Sequence, residues 1–356
     1  MTAPDAHAFT RLSEVDPRPV EWLWPGRLPL GKLVMLDGDP GDGKSTMVTD
    51  VAARISVGAS FPDDAAGRGA RAVVLLSAED AADDTIRPRL DAAGADPGRV
   101  VIFDGVTITA EDGSTRCRPP SIPGDLDHLE QLVVQEGAVL VVVDVLNAFL
   151  SGAIDGHRDQ DVRAALMPLA RMAERTGCCV VCIRHLNKAG GSNPLYRGGG
   201  SIAFIGAARV GLLVGKDPED ESRRVLAVTK SNVAAAPPAL AYRLVDAPEH
   251  GCARVQWEGP TSHRAADLLT GNDDARGGGD DAVSTLRQVL ADGPMWSTDV
   301  VAAMGEAGYS ASQTNRARRR AGATTEKVGR PGDAEQGWRW RLPSAEGCEG
   351  DRAVGL

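Results

Sequence analysis

The sequence predicts an α/β fold in which a mostly parallel, doubly wound sheet is followed by a small C-terminal module. Between residues 31 and 214, short runs of Val, Leu, Ile and Cys alternate with longer helical or loop stretches. Continuous apolar runs are typical of parallel strands that are covered on both faces, and βαβ alternation is typical of a doubly wound sheet. After residue 214, apolar segments follow one another across short turns, which predicts an antiparallel meander at one edge.

The predicted elements follow these runs in chain order. Strands of the parallel part are expected at residues 33–37, 72–77, 100–103, 139–144 and 178–184, and the pattern changes after a further apolar run at 210–214. Helices are expected at residues 45–57, 81–93, 124–135 and 159–176. The meander is expected at residues 224–230, 241–245 and 252–258.

Composition predicts five segments along the chain. These are a polar, Pro-rich N-terminal arm at 1–28, the α/β domain at 29–261, a Gly/Asp-rich linker at 262–281, a helical module at 282–343 and a tail at 344–356. Within the module, helical patterns at 281–292, 297–306 and 313–321 precede two strand-like segments around a Gly/Pro/Asp turn. Three short helices and a hairpin are typical of a winged helix.

The composition excludes several classes of protein. Of 356 residues, 42% are hydrophobic and 25% are charged, which is ordinary for a globular chain and unlike a disordered, collagen-like or coiled-coil one. No apolar run reaches the roughly 18 residues of a membrane span, and the N-terminus has no signal-peptide core. We therefore expect a cytoplasmic protein that does not bind membranes.

Positive charge is concentrated in the C-terminal module. Residues 283–342 hold nine basic and six acidic side chains, a net charge of +3, whereas the whole chain carries −10. This asymmetry favours a polyanionic partner such as DNA for the module. The alternative is a protein-interaction module with a solvated basic face.

The six cysteines do not indicate a disulfide scaffold. Cys178, Cys179 and Cys182 lie inside one apolar run. A metal site would place its ligands on accessible turns, so we interpret these three as small core side chains.

The strongest motif is Gly-Asp-Pro-Gly-Asp-Gly-Lys-Ser at residues 38–45, between a predicted strand and a predicted helix. It matches the pattern of a phosphate-binding P-loop, which predicts binding of ATP with Mg²⁺. We expect Lys44 to reach the β- and γ-phosphates and Ser45 to hold the metal. The predicted phosphate-binding residues are Gly38, Asp39, Pro40, Gly41, Asp42, Gly43, Lys44, Ser45 and Thr46.

Two further strand ends carry carboxylates that such chemistry needs. Asp144 follows five apolar residues, as expected of the second Mg²⁺ ligand of a P-loop protein. Glu79 and Asp80 follow the predicted strand at 72–77. Hydrolysis needs a group that activates water, and we favour Glu79, with Asp80 as the alternative. If the sheet is similar to that of RecA, this strand should lie beside the P-loop strand, with Glu79 directed at the γ-phosphate.

The order of these motifs resembles RecA-fold ATPases of the RepA type, which are ring-forming plasmid replication helicases. The resemblance covers about residues 20–260, and the stretch WLWPGRLPLGKLVMLDGDPGDGKST is especially similar to such ATPases from mobile elements. It implies that Glu79 is catalytic and that His185, in the run Arg-His-Leu-Asn-Lys, senses the γ-phosphate. It also implies a homo-oligomer, a ring or a filament, with a cation that completes the neighbouring subunit's site. Arg209 is the first candidate for that cation and Lys230 the second.

Two sets of cations are candidate DNA contacts. The segments 147–160 and 187–200 would face the centre of a ring, where Arg158, Lys188 and Arg197 could touch single-stranded DNA. In the C-terminal module, the third helix and the hairpin would contact duplex DNA. The residues expected to do so are Arg316, Arg318, Arg319, Arg320 and Lys327.

The sequence therefore predicts an ATP-hydrolysing, DNA-associated motor, a replication helicase or helicase-like ATPase of a mobile element. Two alternatives remain open. One is a regulator or replication initiator in which ATP switches the winged helix on and off DNA. The other is a RecA/RadA-type recombinase.

Overall fold

The computed structural model describes residues 11–109, 114–152, 154–156, 158–186, 201–268, 279–309, 311–329 and 337–343. The chain divides into two compact units, Met1–Leu268 and Leu269–Leu356. Each unit is described by itself below.

Sixteen strands are formed by the described residues. In chain order, β1 to β16 are Trp22–Trp24, Leu28–Pro29, Leu33–Gly38, Ala72–Ser77, Val100–Ile102, Val106–Thr109, Thr115–Arg118, Ala138–Asp144, Cys179–His185, Val210–Asp217, Asp220–Ser231, Ala239–Ala247, Cys252–Thr261, Met295–Trp296, Thr324–Val328 and Gly337–Arg341. The α-helices α1 to α9 are Lys44–Val57, Arg87–Ala92, Leu126–Glu136, Leu146–Phe149, Asp159–Thr176, Ala203–Ala207, Gly279–Val289, Ser297–Glu306 and Ala311–Arg320. A π-helical turn, Ala82–Ile86, begins the segment that was expected to be one helix from residue 81 to 93.

Nine strands form the central sheet of the first unit, in the order β13-β12-β11-β10-β3-β9-β8-β4-β5. The six strands from β10 to β5 in this order are parallel. The remaining three form the antiparallel meander at the edge. This sheet confirms the predicted α/β class, and it fits a RecA-like P-loop core.

The neighbours of the P-loop strand differ from our expectation. The strand before Glu79 was expected to lie beside β3, and this is wrong, because β4 pairs with β8. The two edges of β3 are hydrogen-bonded to β9 and β10 instead. Strands that form later in the chain thus separate β4 from the P-loop strand.

Helices cover both faces of the sheet, and side chains of β3 alternate between them as a pleated strand requires. Val34 and Leu36 face a core shared with α1, α2 and the β1–β2 hairpin. Leu33 and Met35 face a core shared with α3, α4, α5 and α6. Burial on both sides explains why the strands read as unbroken apolar runs.

The folded region begins before residue 29. The predicted arm contains the β1–β2 hairpin, and Trp24 is buried against Phe61, with the two rings 4.8 Å apart. Arg27 is also buried and pairs with Asp63 at 2.6 Å. Apolar burial of the Trp-Leu-Trp run therefore joins this part of the arm to the sheet domain.

Two further differences concern short segments. The hairpin of β6 and β7 was not predicted, because its strands are short and largely exposed and lack a continuous apolar run. At the start of the predicted linker, Leu268 is buried and its Cβ lies 3.1 Å from the position that a Cβ on Gly215 would occupy. The first residues of that linker therefore pack on the sheet domain.

The second unit has three helices, α7 to α9, and a small sheet in the order β14-β16-β15. Its core contains Leu286, Val300, Met304, Ala317 and Trp340. The helices and the hairpin lie within two or three residues of their predicted positions. The short strand β14, which pairs with β16, was not predicted.

The cysteine interpretation is confirmed. Cys178, Cys179 and Cys182 are buried, and burial raises the pKa of Cys182 to about 12. Across the described ranges, no group of three or more potential metal-ligating side chains is present. Within the same ranges, no helix is long and apolar enough to cross a membrane.

Candidate nucleotide-binding site

The predicted P-loop connects β3 to α1 at the carboxyl end of the sheet. Gly41 and Gly43 have φ angles of 82° and 80°, in the region that favours glycine. A Cβ on Gly38 would lie 2.5 Å from the carbonyl oxygen of Val214, so only glycine fits there. The turn delivers the chain to α1 with no acidic residue in its first turn, leaving amide groups that suit an anion.

Lys44 is the first residue of α1, and its side chain folds back over the loop. Its Nζ donates to the carbonyl oxygens of Gly38 at 2.9 Å and Asp39 at 2.8 Å. It also lies 3.3 Å from Nδ1 of His185. Burial lowers the pKa of Lys44, and the carboxylates around it, Asp42 first, oppose that shift.

Asp42 places a buried carboxylate inside the loop. Its Oδ2 accepts a hydrogen bond from the backbone N–H of Asp39 at 3.2 Å. Burial raises the pKa of Asp42 to about 6, and the neighbouring Asp39 adds to the increase. Tyr242 of the meander lies close by, with its hydroxyl 3.5 Å from the carbonyl oxygen of Asp42.

Ser45 and Asp144 come together at the metal position expected from the sequence. Asp144 accepts a hydrogen bond from Ser45, which lowers its pKa, but burial raises that pKa more strongly. Oδ1 of Asp144 is buried and has no hydrogen-bond partner among the described residues. A hydroxyl and an unsatisfied carboxylate oxygen are ligands that Mg²⁺ prefers, so these residues fit the ion.

A chain of polar groups runs from Lys44 to Glu79. The lysine ammonium can only donate, so a hydrogen bond to Nδ1 of His185 requires the tautomer whose hydrogen is on Nε2. That Nε2 lies 3.7 Å from Oε1 of Glu79. The backbone N–H of Ala78 donates to the carbonyl oxygen of Asp144 at 2.9 Å. This bond holds the end of β4 at the site although β3 is three strands away.

Asp80, the alternative base, is engaged elsewhere. Its carboxylate pairs with Arg89 of α2 at 2.5 Å, and its backbone N–H donates to Oγ of Ser77 at 3.1 Å. Asp80 lines a small cleft together with Ser45 and Asp144. The pairing with Arg89 was not predicted. Its only signal in the sequence is that Arg89 lies nine residues after Asp80, within the helix predicted to follow it.

A second feature that sequence reasoning missed lies beneath the loop. Arg184 and Asp37 are 2% and 5% exposed and are joined by two hydrogen bonds of 2.9 and 3.0 Å between β9 and β3. The guanidinium of Arg184 also stacks on Phe204 at 4.8 Å. The signal was available, because each charged residue ends an otherwise apolar strand.

Arg209 and Lys230 lie at the opposite end of the sheet from the P-loop. The N–H of Arg209 donates to the carbonyl oxygen of Leu33, at the start of β3. Gly38 lies five residues further along β3 than Leu33, which is a distance of about 16 Å at 3.3 Å per residue. Neither side chain therefore joins the site of its own chain.

The two cations differ in their surroundings. Lys230 donates to the carbonyl oxygens of Ile205 at 2.7 Å and Ala208 at 2.9 Å, which closes the end of α6. Arg209 is exposed just after α6. Lys230 thus has a structural task, and Arg209 is better placed to reach another molecule.

The predicted DNA contacts in the second unit are distributed over α9 and β15. Arg319, Arg320 and Lys327 are exposed. The guanidinium of Arg318 instead stacks on Trp340 at 5.0 Å, so this residue packs on the module's own core. The side chain of Arg316 and the central-loop cations Lys188 and Arg197 lie outside the described residues.

Comparison with known proteins supports the interpretation of the first unit. A family model described as an AAA domain matches residues 3–191. The DNA repair protein RadA of Halalkalibacterium halodurans is 26% identical over 162 residues, which are 45% of this chain and 29% of that protein. The match therefore spans less than a third of that relative's length.

Proposed function

Because this chain belongs to the AAA domain family, we propose that it hydrolyses ATP as an oligomer and couples that reaction to DNA. In its finer form, the proposal is a helicase-like motor similar to the RepA-type ATPases of mobile elements. One observation carries the ATPase part. Lys44, Ser45, Asp144, His185 and Glu79 come from four different segments and converge at the carboxyl edge of one parallel sheet.

Each of these residues has a distinct task in the proposed reaction. The loop amides and Lys44 bind the phosphates, and Lys44 neutralises charge that develops on the transferred phosphoryl group. Ser45 and Asp144 would hold Mg²⁺, which supplies further charge neutralisation when it is bound. Glu79 orients and deprotonates the attacking water. His185, between Lys44 and Glu79, carries a proton on the nitrogen that faces Glu79 and can respond to the phosphate that Lys44 contacts.

The oligomer is supported by the position of Arg209. This exposed cation follows a short helix at the edge of the sheet opposite the P-loop, so it cannot serve its own site. A neighbouring copy of the chain, with its P-loop edge against this edge, would receive the guanidinium. An arginine that enters the site in this way stabilises the transition state for phosphoryl transfer.

The coupling to DNA is supported by the charge of the second unit. Exposed cations on α9 and β15 are suited to phosphate groups, and the name of the relative RadA denotes a DNA repair protein. Concentration of these cations in a separate unit also favours a second candidate, a regulator whose DNA contact is switched by ATP.

Three measurements on the full chain test the proposal. We expect single-stranded DNA to stimulate ATP hydrolysis, and a forked duplex to be unwound only when ATP is hydrolysed. Particle images with a non-hydrolysable ATP analogue should contain rings or filaments. Hydrolysis that DNA leaves unchanged, with duplex binding that changes on ATP addition, would favour the regulator. Strand exchange between homologous duplexes would identify a recombinase instead.

A further inference from the structure

Trp338 is a large aromatic side chain that the second unit leaves half exposed. It is 51% exposed, and it is the one aromatic residue among the strongly exposed large apolar side chains of the described ranges. Trp340, two residues further along β16, is 4% exposed and belongs to the core of the unit. The same strand therefore buries one tryptophan almost completely and leaves the other, Trp338, half exposed.

Strand register shows which surface Trp338 belongs to. Residues two apart on a strand share a face, so Trp338 and Trp340 project from the same side of β16. Arg318 of α9 stacks on Trp340, and Trp340 shares its core with Val300 and Met304 of α8, so this is the side of the sheet that the helices cover. Trp338 therefore extends the helix-facing side of the sheet beyond the core, toward the end of the β15–β16 hairpin.

Lys327 accompanies Trp338 on that surface. The two residues are direct cross-strand partners in the antiparallel pair of β15 and β16, and cross-strand partners have Cβ atoms about 5 Å apart on one face. Lys327 is exposed. The exposed ring of Trp338 therefore has an exposed cation as its cross-strand neighbour.

Trp296 of β14 provides a contrast, because its ring is covered within the same unit. Trp296 lies on the opposite face, covered by the guanidinium of Arg339 at 4.2 Å and packed over Gly337. Among the described side chains, no ring or guanidinium stacks on Trp338 in a comparable way.

We propose that Trp338 is a stacking platform for an unpaired nucleobase, with Lys327 beside it contacting the adjacent phosphate. An exposed aromatic face beside a cation is the chemistry that binds single-stranded nucleic acid without reading its sequence. Placed toward the end of the hairpin and on the helix-covered side of the sheet, the platform would receive the first unpaired base beside a duplex that α9 contacts. This inference rests on the proposed binding of DNA by the second unit.

The test uses full-length protein without nucleotide and two DNA probes. One is a blunt duplex, and the other is the same duplex with a short single-stranded tail whose first unpaired base is 2-aminopurine. We expect Trp338→Ala to weaken binding of the tailed probe by roughly 5- to 100-fold and to remove the quenching of 2-aminopurine fluorescence. Binding of the blunt duplex should stay unchanged.

Two variants separate stacking from other effects. Trp338→Phe keeps an aromatic face and should retain most of the binding and of the quenching. Val134→Ala removes an exposed apolar side chain from the first unit and should change neither. Trp338→Ala should still unfold in a cooperative thermal transition like that of the parent, because the ring is half exposed and lies outside the core of the unit.

The outcomes distinguish this inference from the function on which it rests. If Trp338→Ala weakens binding of blunt and tailed probes equally, or leaves the tailed probe and its quenching unchanged, the stacking platform is refuted. If the parent protein binds neither probe at any salt concentration, the proposal that the second unit binds DNA is itself refuted. Lys327→Ala should flatten the salt dependence of tailed-probe binding by about one slope unit.

Discussion

Glu79 and Asp80 are neighbouring carboxylates with different surroundings. Glu79 is 59% exposed, and its Oε1 lies 3.7 Å from Nε2 of His185. Asp80 is paired with Arg89 at 2.5 Å and is directed into the cleft beside Asp144. A water-activating group must be free to accept a proton, so the structure favours Glu79 over Asp80 for this task.

Glu79→Gln should retain ATP binding and lose about 100- to 10,000-fold in turnover, because the amide cannot take a proton from water. Asp80→Asn is the matched control, and it should reduce turnover by much less. ATP binding by calorimetry and steady-state hydrolysis measure the two effects. Normal hydrolysis by Glu79→Gln, together with a large loss in Asp80→Asn, would reverse the assignment.

Ionisation of the buried carboxyl of Asp42 lowers the free energy of unfolding, so stability depends on pH. Its pKa in the folded protein is about 6, above the 3.8 of an unperturbed aspartate, because burial disfavours the charge. Well below pH 3.8 the group is protonated in both the folded and the unfolded chain, and it contributes nothing to pH dependence. Between about pH 4 and 6 the unfolded chain has released the proton while the folded chain still holds it, so the folded state loses stability as the pH rises. Above pH 6 both states are ionised and the loss is complete.

Asp42→Asn should therefore stabilise the protein above pH 7, by at most about 3 kcal/mol for a shift of two pKa units. The asparagine oxygen can still accept the hydrogen bond from the N–H of Asp39. The gain in melting temperature over the parent should shrink as the pH falls from 7 to 4. A gain that is the same at both ends of this range would show that Asp42 is not the group responsible.

At the scale of elements, β3 and β9 are joined by a charged pair as well as by their backbone ladder. Arg184 and Asp37 are both nearly inaccessible to water. Removal of one partner leaves an uncompensated buried charge, whereas removal of both leaves none. The pair lies next to Gly38 and His185, so its loss would also disturb the loop and the residue that faces Glu79.

Arg184→Leu should lower the free energy of unfolding by about 3 to 5 kcal/mol. The double variant Asp37→Leu with Arg184→Leu should be more stable than either single one. Chemical denaturation of the four proteins gives the coupling energy between the two residues. Additive losses would show that the two charges do not depend on each other.

Arg209, which immediately precedes β10, supports a prediction about assembly. Arg209→Ala should leave ATP binding intact and remove most of the turnover, because Arg209 is far from the P-loop of its own chain. Mixing Arg209→Ala with Glu79→Gln should restore part of the activity, since some interfaces then hold both groups. The absence of rescue at every mixing ratio would refute a site shared by these two residues.

The whole molecule consists of two units with separate cores. The boundary matters for any truncation, because Leu268 is buried on the sheet domain beside Gly215. A chain that ends before Leu268 would expose that contact. A chain that ends after it keeps the first unit's core complete.

Deletion of residues 269–356 should leave a folded ATPase and should sharply reduce binding of duplex DNA. A motor predicts that single-stranded DNA still stimulates the truncated protein, and a switch predicts that the stimulation disappears. Fluorescence anisotropy at several salt concentrations measures the binding, and a coupled assay measures the hydrolysis. Duplex binding with unchanged affinity and salt slope would remove DNA binding from the second unit.

Much of the fold was determined by the sequence itself. Apolar runs separated by helices predicted five parallel strands to within one residue at each end, because strands buried on both faces are built from apolar residues. β10 extends three residues beyond its apolar run. The glycines and Lys44 predicted the phosphate loop, since its backbone conformation and charge are local requirements. The Trp-Leu-Trp run at residues 22–24 stands out in the sequence as well, but its burial against the sheet domain was not predicted.

Tertiary structure alone decided the contacts between distant segments. The sequence cannot show that β9 and β10, rather than β4, lie beside the P-loop strand, because strand order depends on which edges remain to be paired. For the same reason it could not reveal that Lys230 closes α6, that Arg318 stacks on Trp340 or that Arg184 neutralises Asp37. A charged residue has the same appearance in a sequence whether its partner is solvent, a ligand or a side chain 147 residues away, and only packing selects among them.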